Sequence, residues 1–174
     1  MLSKQNTLAI VFIFVGFFSR VLPHFENFTA IYAIALFSGA FLQNKRLALL
    51  LPIGIMMSSD LILGFSPYLP TYMSFIAIVF VGRLLQKKQK IEHIILGGIS
   101  ASLLFFMITN LFVWINSSPA DGIFYCPKTL VGLIKCYTQA IPFFWNTLCA
   151  TMLYSTILFY SFRVINSKLF ETVK

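Results

Sequence analysis

Four polar or ionisable side chains stand within or beside long apolar runs, namely Arg20, Asp60, Asn110 and Asn146. An ionisable group at membrane depth costs at least about 2.5–3.5 kcal/mol on insertion scales, so it faces a partner or a water-filled cavity. Arg20 and Asp60 can satisfy each other, because a guanidinium offers a fork of donors that fits a carboxylate. Two roles are open to such a pair: it fixes two helices, or it lines a pocket and orients a polar solute. Asn110 and Asn146 each carry a donor and an acceptor, suited to a ligand or to a neighbouring helix. Trp114, Tyr125, Tyr137, Phe143, Phe144 and Trp145 could stack on a planar ligand or form a belt at headgroup level. Trp114 and Tyr125 are read as covers of the pocket.

Other chemistries find no support. His24 is accompanied only by His93, and no Cys/His spacing matches a zinc site, so no metal is expected. His24 reads as a polar rim residue. Gly-x-Ser-x-Gly, His-Glu-x-x-His and the phosphate-binding glycine loop are all missing. The chain is therefore read as a non-enzyme without a cofactor, and active uptake by it would need a partner to supply energy. Two other classes stay open: an intramembrane enzyme acting on a lipid or isoprenoid, with Asp60 and His24 as acid and base, and a non-catalytic assembly protein. Cys126 and Cys136 could pair in an oxidising compartment, while Cys149 reads as a small packed hydrophobe.

The elements that position these residues follow from composition. The 174 residues are 59% hydrophobic and 10% charged, against about 45–50% and about 25% in soluble domains. Lipid is the solvent that tolerates such a surface. A crossing helix needs about 20 apolar residues, and the sequence offers six runs, roughly 5–22, 28–43, 46–64, 71–86, 93–116 and 139–163. The expected fold is an all-α membrane protein, a single domain in a six-transmembrane-helix bundle. The first run lacks small residues spaced for cleavage and reads as a retained anchor. Gly64 to Pro70 breaks an otherwise over-long run, because glycine and two prolines favour a turn.

Orientation follows from Lys and Arg, which cytoplasmic loops retain. With the N-terminus inside, ten of the thirteen fall there: Lys4, Lys45, Arg46, Arg83, Lys87, Lys88, Lys90, Arg163, Lys168 and Lys174. Both termini are thus expected in the cytoplasm of a cell whose inner membrane holds the chain. The net charge of +8 is accounted for by topology and argues for no nucleic acid. Polar residues bordering the spans then gather in the outer leaflet. The segment from about Asn116 to Thr138 is long enough to act as an outer lid, with a short interfacial helix over 129–134. Small residues four apart, Ala35 with Gly39, Gly97 with Ala101 and Gly98 with Ser102, allow close helix approach.

Several of these residues together resemble a family of small bacterial membrane proteins described as transport proteins. That family is similar to the substrate-binding S components of energy-coupling-factor vitamin transporters. The resemblance rests on Arg20-x-x-Pro23-His24-x-x-Asn27-Phe28-Thr29, Leu36-Phe37-Ser38-Gly39-Ala40, Ser59-Asp60, Thr109-Asn110 with Trp114, Tyr125-x-Pro127-Lys128-Thr129, and Pro142-Phe143-Phe144 with Asn146-Thr147. It implies an S-component-like bundle around an outward pocket for a small vitamin-like, polar or aromatic solute. On the reading of the residues, Arg20, His24, Asn27, Asp60, Asn110, Trp114, Tyr125, Lys128 and Asn146 are the expected solute-binding residues. Membrane lipid and a transmembrane coupling protein with ATPase subunits are the implied partners. S components commonly dock through Ala-x-x-x-Ala on the first helix, which here has only Ala9 and Gly16 as small apolar residues before Arg20.

Overall fold

The computed structural model describes residues 4–23, 25–86 and 90–170, with side chains omitted at 4, 5, 169 and 170. His24, Lys87, Lys88 and Lys174 lie outside the described residues. The helices are α1 (Lys4–Val21), α2 (Ile31–Phe41), α3 (Lys45–Leu63), α4 (Leu69–Leu84), α5 (Ile91–Asn116) and α6 (Leu130–Phe170), with a 3₁₀ segment at Pro119–Phe124. Three of them, α3, α5 and α6, are long and apolar enough to cross a membrane. The exterior is apolar as well, with Leu61 77% and Leu84 75% exposed, as contact with lipid requires. This is the character of a helical membrane protein.

The expected span at 28–43 is corrected. Its helix has 11 residues, IYAIALFSGAF, which at about 1.5 Å per residue covers roughly 16 Å, about half of a hydrocarbon core. Ile31 through Ala40 are all buried, and α1, α3, α4, α5 and α6 all pack on α2. A helix that is apolar on every side belongs at the centre of a bundle. Thus α2 is a half-length central helix, and six equal crossings do not describe the fold.

The chain takes residues 22–30 to reach α2. Pro23 follows α1, Phe28 N–H donates to Phe25 O at 2.9 Å, and Asn27 sits at φ 60°, a left-handed conformation that asparagine tolerates better than most residues. Ala30 N–H donates to Ser19 Oγ at 2.9 Å, which fixes where α2 begins against α1. At its other end, Asn44 caps α3 by accepting from the Arg46 and Leu47 amides at 2.9 and 3.3 Å.

Pro52 lies inside α3 and has no N–H to give Ala48 O, its partner one turn earlier. The Ser38 hydroxyl of α2 lies 2.8 Å from that carbonyl and 2.9 Å from Ala35 O on its own helix, so its one proton is shared between the two. Behind it, α2 and α4 meet backbone to backbone: a methyl on Gly39 would fall 3.0 Å from Gly82 Cα and closer still to Val79 O. At the far end of α3, Gly64 adopts φ 74°, and Phe65 N–H returns to Asp60 O at 2.9 Å. Only glycine enters that left-handed cap without strain.

The expected short helix over 129–134 is the start of α6, which runs unbroken for 41 residues with Pro142 inside. At roughly 60 Å it is far longer than a crossing needs.

Candidate functional site

One end of the bundle gathers the end of α1, the start of α2, the α3–α4 connection and the facing parts of α5 and α6. Here Arg20 of α1 forms an ion pair with Asp60 of α3, Nη2 to Oδ1. Arg20 Nε donates to Ser59 Oγ at 2.7 Å, and the Tyr72 hydroxyl of α4 donates to Asp60 Oδ2 at 3.0 Å. Both carboxylate oxygens are therefore occupied, by partners from two other helices. The pair's side chains are 14% and 6% exposed. This network joins α1, α3 and α4 beneath the surface.

Beside it lies a two-chambered cavity. The larger chamber, about 520 Å³, is lined by Arg20, Glu26, Asn27, Ile31, Tyr32, Met56, Phe65, Thr71, Phe75, Phe105 and Phe143. The smaller, about 230 Å³, adds Tyr68, Phe106, Thr109, Asn110, Ala140, Phe144 and Thr147. Asn27, Thr71, Phe105 and Phe143 line both, so the chambers adjoin across a shared wall. The first turn of α2 contributes Ile31 and Tyr32. Tyr32 packs edge-on to Phe105 with centroids 4.7 Å apart, and its hydroxyl lies 3.5 Å from Asn27 Oδ1.

The polar wall is mostly bonded to its own helices. Thr109 donates to Phe105 O at 2.8 Å, Thr147 to Phe143 O at 3.0 Å, and Asn110 Nδ2 to Phe106 O at 2.8 Å. Polar side chains in apolar helices commonly bond back in this way. Each donation leaves an oxygen able to accept.

Of the residues singled out from the sequence, Arg20, Asn27 and Asn110 line the cavity. Asp60 stands behind Arg20. Asn146 donates to Glu26 O at 3.0 Å and ties the α1–α2 connection to α6. His24 lies outside the described residues. Trp114, Tyr125 and Lys128 belong to a separate assembly in the α5–α6 connection. There Trp114 Nε1 donates to Pro127 O at 2.8 Å, and Lys135 Nζ to Tyr125 O at 2.8 Å. The Lys128 ammonium reaches Trp114 O and, at 2.7 Å, Ile115 O. A cation on the carbonyl end of α5 is favourable, and it also lies 5.7 Å from the Trp114 ring centroid. No described residue from 117 to 129 lines either chamber, and its bonds strap this connection to the ends of α5 and α6. Cys126 and Cys136 are buried free thiols.

Asp121 organises the strap. Its carboxylate accepts from Ser118 N–H at 2.7 Å and Ser117 Oγ at 3.0 Å, and these bonds, the backbone one first, hold its pKa below the usual carboxylate value. They favour the charged form, so their contribution is complete above the ordinary carboxylate range and disappears as pH falls through the lowered pKa. Asp121→Ala should therefore speed hydrogen exchange of the Ser118 amide several-fold while leaving the melting temperature unchanged. Equal exchange in variant and wild type would remove Asp121 from this role.

Tyr32, Thr71, Tyr72, Phe105 and Glu26 were not singled out from the sequence. Tyr32 carried one signal, as the only residue besides Ser38 with a polar side-chain atom in its helix. Among the described residues no group of His, Cys, Asp and Glu could hold a metal.

A family model, described as a family of unknown function (DUF6580), matches residues 2–173. No curated protein and no solved structure matches the chain.

Proposed function

Because the chain belongs to the DUF6580 family of unknown function, we propose its role from the cavity: it is a membrane-embedded component that binds a small solute for uptake. The observation that carries this reading is the pair of adjoining chambers, walled by Phe65, Phe75, Phe105, Phe106, Phe143 and Phe144 and edged by polar oxygens. Mostly apolar walls with a few convergent polar groups are the usual form of a small-molecule site.

The wall also indicates the kind of solute. Thr109 and Asn110 have given protons to their own helices, which leaves their oxygens as acceptors at the cavity wall, while Thr147 is also engaged by Tyr32. Arg20 is matched by Asp60, so Glu26 is the formal charge left over among the described lining residues. A solute with an aromatic or apolar body and N–H or O–H donors, neutral or cationic, suits these groups best. The alternative, a lipid-modifying enzyme with Asp60 as acid or base, is weakened because both Asp60 oxygens are engaged.

In this reading the long helices and α1 and α4 cross the inner membrane, and half-length α2 with the 22–30 connection makes the remaining passage from the end of α1 to Lys45. The Lys45 and Arg83 end, with both termini, is cytoplasmic by its excess of cations. The sequence has no phosphate-binding loop, so concentrative uptake draws on a separate coupling protein with ATPase subunits, as the S-component resemblance implies.

Mass spectrometry of small molecules released from detergent-purified protein tests the reading. Wild type should release an enriched compound bearing donors. Asn110→Leu removes an acceptor while keeping the side chain's branched shape and should bind that compound about tenfold more weakly at unchanged melting temperature. Unchanged binding by both Asn110→Leu and the chamber-filling Ala140→Trp would exclude this cavity as the binding site.

A further inference from the structure

At the opposite end of the bundle, a groove of about 320 Å³ runs between α3 and α4, lined by Lys45, Leu49, Val79, Phe80 and Arg83. Its residues are ordered along both helices. On α3, Lys45 stands one turn from Leu49; on α4, Arg83 stands one turn from Val79 and Phe80, and residues three and four apart share a helix face. The two cations therefore lie together at the end, and the apolar side chains lie together towards the bundle's middle. Phe80 is 66% exposed, so the apolar stretch opens to the surroundings and not to the core.

Arg83 is held in place and yet incompletely used. Its Nη1 donates to Leu42 O at 2.9 Å, anchoring it at the end of α2. Its Nη2 is buried with no hydrogen-bond partner among the described residues. A buried charged donor left unmade is costly, and a negative charge in the adjoining groove would offset part of that cost. Lys45 is exposed, and none of the groove's lining residues is acidic.

We propose that this groove is a binding site for one anionic phospholipid, its phosphate held by Lys45 and Arg83 and an acyl chain lying along Leu49, Val79 and Phe80. Charge at the end and hydrocarbon towards the middle is the order in which a phospholipid presents itself in a leaflet. Basic pockets between membrane helices recognise anionic headgroups on the same grounds. A free anion would use the two cations but not the apolar stretch, which makes the lipid the better fit.

Native mass spectrometry of the detergent-solubilised protein, titrated in parallel with dioleoyl phosphatidylglycerol, dioleoyl phosphatidylcholine and inorganic phosphate, is the test. Wild type should retain one phosphatidylglycerol at several-fold lower concentration than phosphatidylcholine, and phosphate should not displace it. Lys45→Ala, at an exposed position, should weaken phosphatidylglycerol binding roughly fivefold without altering the melting temperature. Leu49→Trp, which fills the apolar stretch, should weaken both lipids. Equal retention of the two lipids, displacement by phosphate at concentrations comparable to the lipid, or a Lys45→Ala variant with wild-type preference would each overturn the proposal.

Discussion

Asp60→Asn should lower the stability of the folded bundle by about 3–5 kcal/mol, the usual cost of removing one partner from a buried ion pair. The substitution keeps the side chain's size but leaves the Arg20 charge, 14% exposed, without its counter-charge. It also weakens the acceptor that Tyr72 uses at 3.0 Å, so α1, α3 and α4 lose a shared tie. Two hydrophobic groups of similar volume can replace a buried pair at little cost. The double variant Arg20→Met with Asp60→Leu should therefore recover most of the loss. Denaturant unfolding in detergent micelles measures both. A double variant no more stable than Asp60→Asn would contradict a structural pair. A large loss of solute affinity in Asp60→Asn at near-normal stability would instead place the carboxylate in the binding site.

The second large effect is expected where α2 meets α4. A methyl on Gly82 would fall 3.0 Å from Gly39 Cα and closer to Leu36 O, and one on Gly39 would press on Val79 O. The obstructing atoms are backbone on both sides, so no rotamer change relieves the clash and the helices must part. Overpacking costs about 1–3 kcal/mol and sometimes more; Gly82→Ala should lie at or above the top of that range, and Gly82→Val beyond it. Gly54→Ala is the internal control. It meets nothing within 4 Å and should stabilise α3 by up to about 1 kcal/mol through helix propensity. Gly98→Ala meets chiefly the Met152 side-chain end, which is flexible, and should cost less than Gly82→Ala. Similar losses at Gly54 and Gly82 would show that the close approach does not limit stability.

The sequence by itself determined the solvent and much of the organisation. An excess of apolar residues over polar ones cannot be hidden in water, so composition alone required lipid. The Arg20–Asp60 pairing was legible because two isolated opposite charges in apolar runs have few other ways to be satisfied. Gly39 was legible as a packing position from its spacing with Ala35, although its counterpart Gly82 was not, since nothing local marks which helix comes to meet it.

Tertiary structure decided the rest. The run over 28–43 reads as a crossing because apolar content cannot separate a helix buried in protein from one facing lipid; only the neighbours that enclose α2 and the Ser19 contact at Ala30 limit it to 11 residues. Packing likewise brings Tyr32, Thr71 and Phe105 into the site, though their sequence surroundings gave little sign of it. The segment near Trp114 is long enough for a lid, but length sets only reach, and the Trp114–Pro127 and Lys128–Ile115 bonds that strap it to the end of α5 are set by packing. Apolarity along the chain is a one-dimensional record of the solvent, whereas which polar atom meets which is fixed only when the helices pack.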